Sequence, residues 1–254
     1  MRLRNIKGSR DVIAASKYTV ADDSSKGASF EERGSWSVKG CWSQVFGNGH
    51  PVHIEIGMGK GAFLMELAGR HPDINYVGIE KYSSVLLRAV QKQDKEELPN
   101  VRLIRMEAEN ICDVFAPSEV DRIYLNFSDP WPKAAHESRR LTSRQFLARY
   151  DRILKDLGTI EFKTDNQELF DFSIDEVRNA CLQGNEEAGA AGRQNGAAEG
   201  TVPGKIWEIT ALTRDLHNDP DLNRENVMTE YEQRWSQEGK PICAMHITHH
   251  IIIC

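Results

Sequence analysis

Residues 52–70 read VHIEIGMGKGAFLMELAGR and join a predicted strand to a predicted helix through a glycine-rich turn. The run VHIEIG favours a strand, whereas the apolar residues of GAFLMELAGR recur at three- to four-residue spacing, which is typical of a helix. Glycines at 57, 59 and 61 let the backbone turn tightly and let a ligand approach closely. This order predicts the first unit of an α/β fold with a ligand site at the turn.

Strand and helix patterns alternate along the rest of the chain. Further strand patterns occupy residues 74–80, 100–106, 121–127, 158–164, 205–213 and 241–253. Helical patterns occupy residues 83–98 and 142–156, and another helix follows to about residue 181. Seven strands separated by helices predict a Rossmann-like α/β fold, in which a mostly parallel sheet carries helices on both faces.

The composition of the 254 residues is ordinary for a globular protein, with 40% hydrophobic and 28% charged residues. We expect a basic, partly flexible N-terminal arm over residues 1–35 and one domain over residues 36–254, with a mobile insert at the Gly- and Ala-rich residues 184–204. No apolar window is long enough to span a bilayer, so we expect no membrane association and a cytoplasmic location. Five scattered cysteines without a C-x-x-C pair indicate reduced thiols.

Acids beside the glycine turn indicate which cofactor it binds. Glu80 ends the second strand pattern 23 residues after Gly57, where an acid accepts hydrogen bonds from ribose hydroxyls. Glu55 precedes the glycines, where it would repel a pyrophosphate and attract a cation. S-adenosylmethionine carries a sulfonium and an ammonium group and no phosphate, so the charge favours a methyl donor over NAD. Glu107 follows the third strand, where it either meets the adenine ring or lies in an exposed turn.

The fourth strand pattern ends in YLNFSDPWPK, residues 124–133. Two prolines stop the strand and hold Asp129, Trp131 and Lys133 on a stiff loop. Because ligands bind outside the carboxyl ends of parallel strands, we expect this loop to meet the methyl group. Trp131 either stacks on a base or packs under the loop.

Several of these stretches together resemble one family, the bacterial tRNA (guanine-N7)-methyltransferases. The similarity runs from about Trp36 to Pro241, except for the insert, and rests on the segments HIEIGMGKGAF, YVGIEKYSSV, IYLNFSDPWPK, RRLTSRQFLARYDRILKDLG, FKTDN and MTEYEQRW. It implies a class I methyltransferase fold that uses S-adenosyl-L-methionine to methylate guanine 46 in the variable loop of tRNA. The partner implied is tRNA, and the chain is expected to be a monomer or a homodimer.

The resemblance also implies roles for individual residues. The cofactor would be bound by Glu55, Gly57, Gly59, Gly61, Glu80, Glu107 and Asp129, with Asp129 also catalytic. The substrate would be contacted by Lys133, Asp165, Thr229, Glu230, Tyr231 and Glu232. The RNA-facing stretch, residues 135–140, would supply His136, Arg139 and Arg140. Glu107 stands where Asp or Asn is more usual, and AAHESRR has fewer cations than many relatives show.

Other interpretations remain open on the sequence alone. The D-P-W-P loop also resembles the D-P-P-Y loop of amino-group methyltransferases that act on small molecules or DNA, and the chain could be a non-catalytic RNA-binding module. Thr229 with Glu232 forms a capping box, as do Thr142 with Gln145 and Thr164 with Gln167, and Asp165 could cap a helix at Asn166. Cys243, His246, His249 and His250 cluster near the end, but alternation along a strand separates them, so we expect no metal site.

Overall fold

The computed structural model describes residues 6–20, 37–194 and 204–252 of the chain. The described residues contain eight strands, which form one sheet: β1 Thr19–Val20, β2 Val52–Ile56, β3 Asn75–Glu80, β4 Val101–Arg105, β5 Val120–Asn126, β6 Leu154–Thr164, β7 Gly204–Thr213 and β8 Cys243–Ile252. The same parts of the chain contain eight α-helices: α1 Ser9–Ala15, α2 Trp42–Phe46, α3 Ala62–Arg70, α4 Ser83–Glu96, α5 Ile111–Val114, α6 Arg144–Ile153, α7 Gln167–Gln194 and α8 Glu230–Gln237.

The strand order is β1-β4-β3-β2-β5-β6-β8-β7. Strands β1 to β6 pair in parallel, whereas β8 is antiparallel to both β6 and β7. The order reverses between β2 and β5, and this switch point is where an open α/β sheet binds its ligand. The predicted α/β fold is confirmed.

The strand count differs from the prediction, because the described residues contain eight strands and not seven. The additional strand, β1, pairs Thr19 with Leu103 and Val20 with Ile104 at the edge of the sheet. Ahead of it, α1 buries Ile13 and lies against α4, where Ser9 Oγ donates to Ser83 Oγ at 3.1 Å. Part of the predicted basic arm is therefore built into the sheet. A two-residue strand is too short to show the alternation on which the prediction relied.

Two apolar layers cover the sheet. One face packs against α2, α5, α6 and α7 through residues such as Trp42, Val114, Phe146 and Phe170. The other face packs against α3 and α4 through residues such as Phe63, Leu64 and Leu86. Among the described helices, none combines the length and the apolar character that crossing a membrane requires. Of the predicted insert, residues 184–194 continue α7, and residues 195–203 lie outside the described residues.

Two of the three predicted capping boxes are wrong. Helix α6 begins after Ser143, and Thr142 instead shares a buried hydrogen bond with Ser173 Oγ at 2.6 Å. Helix α7 is capped by Asn166, whose Oδ1 accepts from the Leu169 N–H at 2.7 Å. Only the box of Thr229 and Glu232 is confirmed, at the start of α8. A threonine three residues before a glutamine is a common pattern, and the tertiary contacts decide which residue caps the helix.

Candidate active site

The glycine turn between β2 and α3 has the backbone that its sequence predicts. Gly57, Gly59 and Gly61 have φ values of +78°, +60° and +75°, a region that strains other residues. The N–H groups of Gly57 and Met58 both donate to the Ile79 carbonyl, at 2.9 and 3.1 Å, and this ties the turn to β3. The turn therefore lies at the carboxyl ends of β2 and β3.

Glu80, at the end of β3, is buried beside this turn. Its Oε1 accepts from the Tyr82 N–H at 2.8 Å. Burial raises the pKa of Glu80, although hydrogen bonds from the backbone N–H groups of Tyr82, Gly59 and Lys81 counteract part of that increase. The carboxylate thus fastens the glycine turn to the start of α4.

Glu55 is fully buried on β2, immediately before the turn. Its Oε1 accepts from the Asn126 side chain at 2.9 Å, whereas Oε2 has no hydrogen-bond partner within the described part of the chain. Burial raises the pKa of this carboxyl to about 7, and Asn126 and Lys163 only partly offset it. A buried carboxylate oxygen without a donor is costly, so this position fits a ligand that brings a cation or a donor.

A cleft of about 490 Å³ opens at the carboxyl ends of β2 to β5. It brings together five of the predicted site residues: Gly57, Glu80, Glu107, Asp129 and Arg139. Lys81 also lies in the cleft and is 4.0 Å from Glu107. Apolar walls come from residues such as Ile56, Ile79 and Met106. The cleft therefore combines acidic groups with an apolar floor, as expected for a site that binds a cationic nucleoside.

The loop after β5 carries Asp129 to the mouth of the cleft. Phe127 and Trp131 have φ values of +51° and +41°, which are uncommon for residues other than glycine. Asp129 is exposed and lines the cleft together with Trp131. The Trp131 ring lies edge-on to His136, with ring centroids 5.6 Å apart, and the Arg139 guanidinium lies over it at 5.1 Å. Trp131 is half-buried at the opening of the cleft, with His136 and Arg139 beside it.

The cations between Lys133 and Lys155 do not all face solvent. Arg144 pairs with Glu176 at 3.0 Å, Lys155 pairs with Asp121 at 2.8 Å, and Arg149 donates to the Glu109 carbonyl at 3.0 Å. Arg140, a predicted RNA contact, is turned towards the protein. These four residues contact protein groups, whereas Lys133, Arg139 and Arg152 are exposed, and of these three Arg139 lines the cleft.

Helix α8 and the end of β6 bring most of the predicted substrate residues together. The Tyr231 hydroxyl donates to Asp165 Oδ2 at 2.9 Å, and the Tyr231 ring lies 5.0 Å from that of Phe127, which lines the cleft. Glu230 pairs with Lys60 of the glycine turn at 3.0 Å. The helix thus contacts three of the loops at the carboxyl edge of the sheet.

Glu232, also predicted to contact the substrate, is completely buried. Its Oε2 accepts from Lys163 Nζ at 2.7 Å, and its Oε1 accepts from Asn226 at 2.8 Å and lies 3.0 Å from His217 Nε2. Burial alone raises the pKa of Glu232, but Lys163, Asn226 and His217 together lower it below its ordinary value. Both oxygens are used by protein groups, so the structure does not expose Glu232 to a substrate.

Lys163 was not identified from the sequence. Lys163 lies near the end of β6, where it donates to Asn226, the Val227 carbonyl and Glu232, and its ammonium group lies 5.0 Å from the centre of the Phe63 ring. The sequence carries no local signal for it, because in the strand pattern GTIEFKT Lys163 alternates with Ile160 and Phe162 as a solvent-facing residue would. Its burial becomes tolerable through the distant anionic partner, because a buried lone ammonium group is unstable.

The histidines near the C-terminus make separate contacts. His249 is buried and bonds Asp151 at 2.7 Å, whereas His250 bonds Glu208 at 2.9 Å. Across residues 6–20, 37–194 and 204–252, no group of three or more His, Cys, Asp or Glu side chains is placed to hold a metal ion.

Comparison with known proteins identifies sequence relatives. The family model described as "Putative methyltransferase" matches residues 49–191. The tRNA (guanine-N(7)-)-methyltransferase of Lachnoclostridium phytofermentans is 50% identical over 242 residues, which cover 95% of each chain. The protein of the same name from Bacillus subtilis is 45% identical over 205 residues, which cover 80% of this chain and 83% of the relative.

Solved structures support the fold alone. An antibiotic-related methyltransferase superposes with a TM-score of 0.51 at 17% identity, covering 83% of this chain and 92% of the other. The 16S rRNA methyltransferase KamB gives a TM-score of 0.51 at 14% identity, covering 84% and 93%.

Proposed function

The chain belongs to the tRNA (guanine-N(7)-)-methyltransferase family, and we propose that it methylates N7 of guanine 46 in the variable loop of tRNA, in the cytoplasm. It is an enzyme of the S-adenosyl-L-methionine-dependent methyltransferase class, and its substrate atom is guanine N7 in tRNA.

One observation carries the cofactor assignment: acidic groups converge on the cleft, and the buried Glu55 oxygen behind it lacks a donor. These residues fit S-adenosylmethionine, since its ammonium and sulfonium groups are cationic and it has no phosphate for acids to repel. When bound, S-adenosylmethionine supplies an electrophilic methyl group for in-line transfer to N7. Gly57, Gly59, Gly61, Glu55 and Glu80 would hold its amino-acid and ribose parts, and Glu107 its adenine.

Methylation of guanine N7 does not require the protein to transfer a proton. N7 has a free lone pair at neutral pH, so no general base is needed, and the product ring becomes cationic. Carboxylates at the base therefore act by orienting the base and stabilising developing positive charge. The exposed position of Asp129 at the mouth of the cleft suits this role.

Recognition of the base must leave N7 uncovered. The Watson–Crick edge of guanine offers N1–H and N2–H₂ donors, which require acceptors. Asp165, held by Tyr231, would supply such an acceptor, with Thr229 and Glu230 on the adjoining helix. Lys133, His136 and Arg139 lie along or next to the short 3-10 helix Ala134–Arg139 and would contact the RNA backbone. Glu232 would support this group from behind.

A methyl-transfer assay tests the function. Unmodified tRNA incubated with the protein and labelled S-adenosylmethionine should gain N7-methylguanosine at position 46, as mapped by nuclease digestion and mass spectrometry. A methylated exocyclic amine would instead indicate an amino-group methyltransferase. Binding of tRNA without transfer or cofactor affinity would indicate an RNA-binding module.

Replacement of Asp129 tests its catalytic role. Asp129→Ala should lower kcat about 10²- to 10³-fold, because one preorganised electrostatic group is worth that much in comparable sites. The thermal midpoint should not change, since Asp129 is exposed. Asp175→Ala, an exposed acid on α7, is the matched control and should keep wild-type turnover. Near-normal turnover of Asp129→Ala would refute the assignment.

A further inference from the structure

The loop that carries Asp129 holds an unfavourable backbone shape. Positive φ angles at Phe127 and Trp131 are unfavourable for residues with a side chain and persist only where the surroundings enforce them. Pro130 and Pro132 have no N–H group, so they cannot anchor the loop by donating hydrogen bonds. At the start of the loop, the Phe127 N–H donates to the Lys163 carbonyl at 2.9 Å. The far side of the loop needs another anchor.

Arg140 supplies that anchor from ten residues further along the chain. Its Nε donates to the Pro130 carbonyl at 3.0 Å, and its Nη2 donates to the Trp131 carbonyl at 3.1 Å. These two carbonyls follow Asp129 directly in sequence. One planar guanidinium thus donates to the carbonyls of both residues that follow Asp129.

The guanidinium is itself held in place. It lies 4.2 Å from the centre of the Phe172 ring on α7, and Nη1 lies 3.5 Å from Glu137 Oε1. Only 11% of the Arg140 side chain is exposed. A cation that is covered on one face by an aromatic ring, and that donates to carbonyls along its edge, is poorly placed to bind a phosphate.

We propose that Arg140 is a positioning residue for methyl transfer, which clamps the Pro130 and Trp131 carbonyls and so fixes the loop that presents Asp129. This differs from the RNA contact predicted for Arg140, and it rests on the proposed function only for the reaction that the loop serves. Lysine cannot replace it, because an ammonium group lacks the fork of planar donors and the flat surface that stacks on Phe172.

The test compares four variants: Arg140→Ala, Arg140→Lys, Arg139→Ala, and Arg70→Ala as a control on an exposed pair with Glu66. Each is measured for kcat at saturating tRNA and S-adenosylmethionine, for tRNA Kd over a salt series, for thermal midpoint, and for hydrogen exchange in the peptide covering residues 126–133. Arg140→Ala is also assayed with millimolar guanidinium chloride or ammonium chloride added.

We expect Arg140→Ala to lower kcat about 10- to 100-fold, the loss that a displacement of about 1 Å causes at a reacting centre. Exchange in the loop should quicken, while tRNA Kd and its salt slope stay at wild-type values. Guanidinium should restore part of kcat and ammonium should not, and Arg140→Lys should resemble Arg140→Ala. Arg139→Ala should weaken tRNA binding and lower the salt slope by about 1.

A rise in tRNA Kd and a drop in salt slope for Arg140→Ala, matching those of Arg139→Ala, would overturn the proposal. So would a lower thermal midpoint with unchanged kcat, since that indicates a role in stability only. Wild-type protein that transfers no methyl group would refute the proposed function alone, because hydrogen exchange in the loop still tests the clamp.

Discussion

Glu55 on β2 and Glu232 on α8 are both buried glutamates close to Lys163, yet their surroundings differ. Glu232 accepts hydrogen bonds on both oxygens, with Lys163 at 2.7 Å as its charged partner. Glu55 accepts one hydrogen bond, from Asn126, and its other oxygen has no hydrogen-bond partner among the described residues. One carboxylate has a complete set of partners, whereas the other does not.

The pKa values of the two carboxyls reflect this difference. Burial dominates at Glu55 and raises its pKa to about 7, whereas at Glu232 the partners outweigh burial and lower the pKa. A carboxylate with complete partners supports structure, and one without them is suited to a ligand that supplies the missing cation. On α8 the protein thus supplies every partner of the buried carboxylate, whereas on β2 one carboxylate oxygen lacks a partner among the described residues, at the position where we propose that the cofactor binds.

The largest effect on stability should come from breaking the buried ion pair of Glu232 and Lys163. Glu232→Ala leaves Lys163 buried without its anion and should lower the free energy of unfolding by about 3–5 kcal/mol. Urea unfolding at neutral pH measures it, with Glu230→Ala as the control on the exposed neighbour, which should cost about 1 kcal/mol or less. A loss for Glu232→Ala as small as that of the control would show that the pair is dispensable.

In contrast to Glu232→Ala, Glu55→Gln should raise the free energy of unfolding of the protein without bound cofactor. The pKa of the Glu55 carboxyl rises from its ordinary value of 4.5 to about 7 in the folded protein, so the contribution of this group to stability falls as pH rises from 4.5 to 7 and is then constant. Removing this charge should raise the free energy of unfolding above pH 7 by about 3 kcal/mol. Unfolding of both proteins at pH 5 and pH 8 measures the difference, which should shrink to about 1 kcal/mol or less at pH 5.

The same substitution should weaken S-adenosylmethionine binding, measured by calorimetry, because the cation loses its buried anion. Wild-type affinity should also decline as pH falls below about 7, and the Gln variant should lack this dependence. Glu109→Gln, an acid exposed in the same cleft, is the matched control and should keep the pH dependence. Equal cofactor affinity of Glu55→Gln and wild type would remove Glu55 from the site.

The sequence predicted the arrangement around the glycine turn better than the arrangement around α8. The glycine turn, Glu80 and the D-P-W-P loop are local features, so alternating strands and helices are enough to place them at one edge of the sheet. Edge strand β1 escaped prediction because it has only two residues and pairs with the distant β4. The cap at Asn166 escaped it because Thr164, Asp165 and Asn166 are all residue types that cap helices, and the sequence does not decide among them.

The contacts of Glu232 and Arg140 could not be predicted from the sequence for a related reason. From the sequence alone, Glu232 in MTEYEQRW looks as available to a substrate as Glu230, and Arg140 in ESRRLTS looks as available as Arg139. Only the folded structure shows that Glu232 accepts a hydrogen bond from Lys163, 69 residues away. Likewise, only the structure shows that Arg140 donates to the Pro130 carbonyl. Residue type and spacing predict which groups are present, and burial decides which of them remain available.

The smallest effect concerns the cap that connects Thr229 to Glu232. The Glu232 N–H donates to Thr229 Oγ1 at 3.0 Å, and the Thr229 N–H donates to Glu232 Oε2 at 3.4 Å. Thr229→Ala should therefore lower the free energy of unfolding by about 1 kcal/mol, and Thr229→Ser, which keeps the hydroxyl, should cost little. Because both residues belong to one box, the loss should shrink when Glu232 is already alanine, as a double-mutant cycle would measure. Strictly additive losses would mean that the cap and the buried pair stabilise α8 independently, and that Glu232 supports the helix through Lys163 alone.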